Sequence, residues 1–110
     1  MLTCFLTLFL GSSNELFCSV PLPPPAPMAH SNASVAQRCF IVCMPQALPG
    51  HILRQVFSRF GDLIDVYMLP NKNCGYAKYA NEQSARKAIE ILHGAEVCNI
   101  RLKVNACALK

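Results

Sequence analysis

Residues Cys74 to Asn81 read Cys-Gly-Tyr-Ala-Lys-Tyr-Ala-Asn. Aromatic and small residues alternate here as they do on a strand, where successive side chains point to opposite faces. Cys74, Tyr76 and Lys78 therefore share one face, and Gly75, Ala77 and Tyr79 take the other.

The neighbouring segments supply the rest of a sheet. Leu63 to Leu69, LIDVYML, predicts a strand. Alternation puts Ile64, Val66 and Met68 on one face and Leu63, Asp65, Tyr67 and Leu69 on the other, and leaves open which set faces the core. Pro70 to Asn73 makes a short turn, from which Lys72 is the cation available to a ligand. Upstream, Arg38 to Met44, RCFIVCM, predicts a strand ended by Pro45. Phe40 and Val42 fall on one face of it, and Cys39, Ile41 and Cys43 on the other. Between these strands, Ile52, Leu53, Val56, Phe57 and Phe60 recur at helical spacing, with Pro49 at the helix start and Gly61 as the stop. Arg54 and Arg59 are expected on that helix's exposed flank. Downstream, Ala85, Ala88, Ile89 and Leu92 form a second helical stripe ended by Gly94. His93 reads as a helix-end residue. Ile100 to Val104 predicts a last strand, with Leu102 and Val104 on one face and Arg101 and Lys103 on the other, and Asn105 to Lys110 extending across the sheet edge.

The order strand, helix, strand, strand, helix, strand is that of the split β-α-β arrangement. The predicted fold is therefore α+β: a ferredoxin-like β-α-β-β-α-β sandwich whose four-stranded antiparallel sheet carries two helices on one face. An unstructured N-terminal tail is expected to precede it.

Residues 74–81 resemble the inner-strand signature of the RNA recognition motif (RRM), written [KR]-G-[FY]-[GA]-F-V-x-[FY]. Gly75, Tyr76 and Ala77 fit it. Cys74 stands for the basic residue, Lys78 for the second aromatic and Tyr79 for an aliphatic. Arg38 to Met44 is similar to the family's second signature, with Phe40 at its aromatic position. The resemblance runs from Arg38 to about Ala108. It implies single-stranded RNA as partner, bound on the open sheet face. By the same resemblance Ile64, Val66 and Met68 of the second strand are expected inward, with Tyr67 near the open surface. Phe40 and Tyr76 would be stacking platforms with Tyr67 at the margin, and Lys78, Lys72, Arg101 and Lys103 electrostatic partners. Each stacked base contributes about 1–3 kcal/mol. Two platforms rather than three imply a weak, short-footprint binder, engaged in post-transcriptional regulation in the nucleus or cytoplasm.

Charge is compatible with this. All ten Lys and Arg lie from Arg38 onward, whereas one of the six acids, Glu15, lies earlier. The surplus suits a polyanion partner but is far from a dense basic stripe. Seven cysteines show no C-x-x-C pair or Cys/His cluster with zinc spacing, so no metal and no cofactor are expected, and the thiols read as buried or half-buried. No catalytic residue is assigned, and no small-molecule substrate is expected.

The first 36 residues read differently. Met1 to Leu10 is an apolar run with the length of a signal-peptide core, but it has no basic residue before it and is too short to span a bilayer. Asn32-Ala33-Ser34 makes a glycosylation sequon. We expect residues 1–20 to be an apolar leader that does not direct secretion or stable membrane insertion. Pro21 to Ser34 holds five of the eight prolines, so residues 21–36 are expected to be an extended linker to a domain spanning 37–108.

Two other readings compete with RNA binding. One is an RRM-type module for protein partners or self-association. The protein-binding subtype with an acidic first helix and an Arg-x-Phe motif is disfavoured, because the first helix is basic and Arg101-Leu102-Lys103 lacks the Phe. The other is an enzyme on the same fold, such as an acylphosphatase, which the missing phosphate-cradling Gly loop and acid/base pair argue against.

Overall fold

The computed structural model describes residues 16–107, so the apolar run Met1–Leu10 lies outside the described residues. Strand β1 (Gln37–Met44) is followed by helix α1 (Gly50–Phe57), a 3-10 turn (Ser58–Phe60), β2 (Leu63–Met68), β3 (Cys74–Tyr79), helix α2 (Glu82–Leu92), a two-residue β4 (Glu96–Val97) and β5 (Ile100–Cys107). The sheet is antiparallel in the order β2-β3-β1-β5-β4. The fold is thus the expected α+β sandwich, with β4 added as a short hairpin partner of β5. Rather than crossing the sheet edge, Asn105 to Cys107 continue β5 beside β1 as far as Arg38.

Local chemistry explains both helices. Pro49 occupies the N-cap of α1 in extended conformation, and its carbonyl accepts from the Ile52 and Leu53 amides at 3.1 Å. In α2, the Asn81 side chain accepts from the Gln83 amide at 2.8 Å and satisfies one of the orphan donors of the first turn. Ile52, Leu53, Val56 and Phe57 of α1, with Ala85, Ala88 and Leu92 of α2, are buried against Cys39, Ile41, Cys43, Ala77, Leu102 and Val104 of the sheet.

Two buried groups on β3 tie the layers together. Tyr79 is fully buried, and its hydroxyl donates to the Phe57 carbonyl at 2.7 Å, at the end of α1. Gly75 lies where β3 meets β2 most closely. A Cβ there would stand 2.0 Å from the Tyr67 carbonyl oxygen and 2.7 Å from the Met68 Cα.

Strand β2 departs from the expected alternation. Leu63 is fully buried and Ile64 only half-buried, while Val66 and Met68 pack inward. An irregularity between Leu63 and Asp65 shifts the register, and such a bulge moves a side chain from one face to the other. Arg59 departs too. It is half-buried, and its Nη1 donates to the Pro23 carbonyl at 2.9 Å.

Residues 16–36 hold no helix, as expected of a Pro-rich stretch, but they are anchored along the domain. Cys18 forms an antiparallel bridge with Val97 of β4. The segment then reaches the turn after α1 through Pro23, the start of β2 through Ala29 N to Leu63 O at 2.8 Å, and the end of β3 through Ala36 N to Tyr79 O at 2.8 Å. Leu16, Cys18 and Leu22 pack on the core. This strap runs from one sheet edge to the other. No helix among the described residues is long and apolar enough to cross a membrane.

Two predictions follow from the β3 contacts. Gly75→Ala, whose methyl meets backbone that cannot rotate away, should destabilise by about 3 kcal/mol or more, whereas Gly50→Ala, with nothing within 4 Å, should be neutral or slightly stabilising in chemical denaturation. Burial pushes the Cys39 thiol up from 9.0 to about 12 and raises the Tyr79 phenol as well. The folded state then keeps protons that the unfolded chain releases, so stability is complete below pH 9 and falls between pH 9 and 12. Thermal unfolding across that range should show the loss.

Candidate nucleic-acid interface

Pairing register fixes what the uncovered face of the sheet presents. Tyr67 of β2 stands opposite Tyr76 of β3, Tyr76 opposite Phe40 of β1, and Phe40 opposite Asn105 of β5. Three aromatic side chains therefore lie in one row across three strands. The Phe40 and Tyr76 rings are 5.5 Å apart between centroids, and Tyr67 and Tyr76 are 6.2 Å apart, each pair tilted by 56°. All three are half-buried: their edges rest on one another and part of each ring stays accessible. Tyr67, expected at the margin, stands at the end of the row on the edge strand β2.

The row on one side of the aromatics is charged. Asp65, Lys78, Arg38 and Cys107 stand opposite one another in turn. Lys78 Nζ lies 5.5 Å from the Tyr67 ring centroid and the Arg38 guanidinium 5.1 Å from that of Tyr76. Cations at this range are drawn to ring faces, which holds them beside the aromatics. Arg38 was absent from the residues singled out in the sequence. Its shared parity with Phe40 on the same strand was the signal that could have found it.

On the other side, Cys74, Val42 and Lys103 form the next row, and Met44, Arg101 and Glu96 the one after. Lys103 is exposed. Arg101 is exposed and also engaged within the chain: Nη2 pairs with Glu96 Oε2 at 2.8 Å and Nη1 donates to the Gly94 carbonyl at 2.8 Å. Lys72 is exposed on the β2–β3 turn, apart from the aromatic row. That turn is pinned by Asn73, whose Nδ2 donates to the Cys43 carbonyl at 2.9 Å. It borders an open cavity of about 850 Å³ shared with Gln46, Ala47, Met68 and Leu69.

The six cysteines among the described residues are free thiols. Cys39 and Cys43 are buried on the helix side, and desolvation raises both, which leaves them poor nucleophiles. Among the described residues no group of three His, Cys, Asp or Glu side chains could hold a metal. What the face can do is stack planar groups and neutralise phosphates.

Comparison with known proteins bears on this directly. A family model described as the RNA recognition motif matches residues 44–103. RNA-binding protein 45 of Homo sapiens is 44% identical over 100 residues, which cover 87% of this chain and 21% of that protein. The chain thus spans about a fifth of that relative's length, and the likeness extends upstream of β1 into the strap. Among solved structures, the RRM domain of S. pombe Puf1 superposes with a TM-score of 0.61 at 22% identity, covering 68% of this chain and 93% of that one. The C-terminal RRM domain of poly(U) binding 1 superposes with a TM-score of 0.59 at 20% identity, covering 91% and 100%. These two likenesses are of fold.

Proposed function

This chain belongs to the RNA recognition motif family, and we propose that it binds single-stranded RNA on the uncovered face of its sheet. The observation that carries this reading is the row Tyr67–Tyr76–Phe40, three touching rings with Lys78 and Arg38 held against them on a face that no helix among the described residues covers. Unstacked bases present flat π-surfaces to such a row, and phosphates are attracted to cations at its border. Phe40 and Tyr76 stack bases, Tyr67 extends the platform to the sheet edge, and Lys78 and Arg38 meet the backbone along one side. Lys103 serves the other side. Arg101 contributes less charge, being already paired with Glu96. Lys72 reaches RNA only where the strand leaves the sheet toward the β2–β3 turn.

The activity is one of binding rather than catalysis. Its natural setting is RNA in the nucleus or cytoplasm, as one module of a longer protein in which other parts add affinity. Alone it is a weak binder, because Cys74 replaces a cation of the family signature and Lys78 an aromatic.

The test is titration of short labelled single-stranded RNA pools against the full chain. The wild type should bind in the micromolar range, and Phe40→Ala/Tyr76→Ala should weaken binding by at least about tenfold with the fold retained by circular dichroism. Lys103→Ala should lower the salt dependence by about one phosphate contact, and Arg101→Ala by less. A wild type that binds no RNA at tens of micromolar would point instead to a protein partner on this face.

A further inference from the structure

Phe17, Met28 and Met44 are the large apolar side chains that stand exposed among the described residues. Phe17 is the most exposed at 59% and Met44 follows at 47%. The pairing register puts these two on the same side of the sheet as Phe40 and Tyr76. Met44 follows Phe40 and Val42 at even spacing along β1 and stands opposite Arg101, which stands opposite Glu96 of β4. The strap then adds one more strand position. The Phe17 carbonyl accepts from Cys98 N at 2.8 Å and Ser19 N donates to the Glu96 carbonyl at 2.8 Å, on either side of the Cys18–Val97 bridge. Cys18 shares the inward direction of the buried Val97 and packs on the core. Its neighbours Phe17 and Ser19 therefore point the opposite way, toward the side that carries Glu96 and Arg101. Both are exposed, as that direction requires.

We propose that Phe17 is a further stacking platform for RNA, taking an unstacked base from a strand that continues past Lys103 and Met44. The inference rests on the sheet-face reading above and extends it. Phe17 lies three strand spacings and six residues from Phe40, on the order of 25 Å. Between them lie Val42, Lys103, Met44, Arg101 and Glu96. The Arg101–Glu96 pair leaves the region beside Phe17 near neutral, so this station takes the face of a base rather than a phosphate. The strap is held by backbone hydrogen bonds at both sheet edges, so the ring is presented without ordering a loose tail on binding. Residues 16–36 thereby become part of the binding surface.

The sequence contains no Trp, so Phe17→Trp in the full chain provides a single fluorescent reporter at the site. Its emission should be quenched by single-stranded RNA of about ten nucleotides and not by RNA of about four, which the Phe40–Tyr76 row can hold alone. Phe17→Ala, an exposed change, should weaken binding of the longer RNA about tenfold and leave the shorter unchanged. Unquenched emission with longer RNA bound in a Phe40- and Tyr76-dependent way would overturn the role of Phe17 and leave the sheet reading standing. Absence of RNA binding by the wild type would overturn both.

Discussion

The close approach of β3 to β2 at Gly75 is the constraint on which the rest depends. Any side chain there would meet the Tyr67 carbonyl, so the two strands settle at this distance only around glycine. Sheet register has period two, and a slip of one residue would send every side chain of β3 to the other face. Holding Met68 opposite Gly75 therefore holds Tyr67 opposite Tyr76. The same strand pairs on its other side with β1, which sets Tyr76 opposite Phe40. One residue without a side chain thus aligns three rings that lie far apart in sequence.

The two faces of the sheet answer to opposite demands. Ala77 and Tyr79 point into a core closed by α1 and α2, where the Tyr79 hydroxyl is satisfied by a helix-end carbonyl. Tyr76 and Lys78, one residue out of phase, point to a face with no covering layer among the described residues. Exposed aromatic surface of this kind carries a cost in solubility and is usually kept because a partner covers it. Here Arg38 and Lys78 lie over the rings and lessen that cost while the face is empty. The same cations are the groups that would meet a polyanion, so one arrangement serves the free and bound states.

Much of this was legible in the sequence because alternation is a short-range property. Spacing alone separates Cys39, Ile41 and Cys43 from Phe40, and Gly75, Ala77 and Tyr79 from Tyr76 and Lys78, while the resemblance to the RNA recognition motif supplied which set faces inward. At β2 the pattern left the inward face open, and the inward place given to Ile64 by the resemblance failed, because the bulge between Leu63 and Asp65 exchanges the roles of Leu63 and Ile64. Nothing in the string LIDVYML marks that irregularity, since both residues are equally apolar. Spacing places Arg59 on an exposed helix flank and Arg101 on the outward face of the last strand, but it does not show the partners that engage them, Pro23 for one and Glu96 and Gly94 for the other. Such contacts depend on where remote segments come to rest. For the same reason the Pro-rich stretch looked like a linker: proline content reports extended conformation, but not whether the extended chain lies against a surface.

The central claim is that the uncovered sheet face is the RNA surface, and amide chemical-shift mapping of the full chain against short single-stranded RNA tests it most directly. The account predicts shifts concentrated on β1 and β3, around Phe40 and Tyr76, extending to Tyr67 and Lys103 and sparing α1 and α2. Shifts confined to the helices, with the β1 and β3 amides unmoved at saturating RNA, would contradict it.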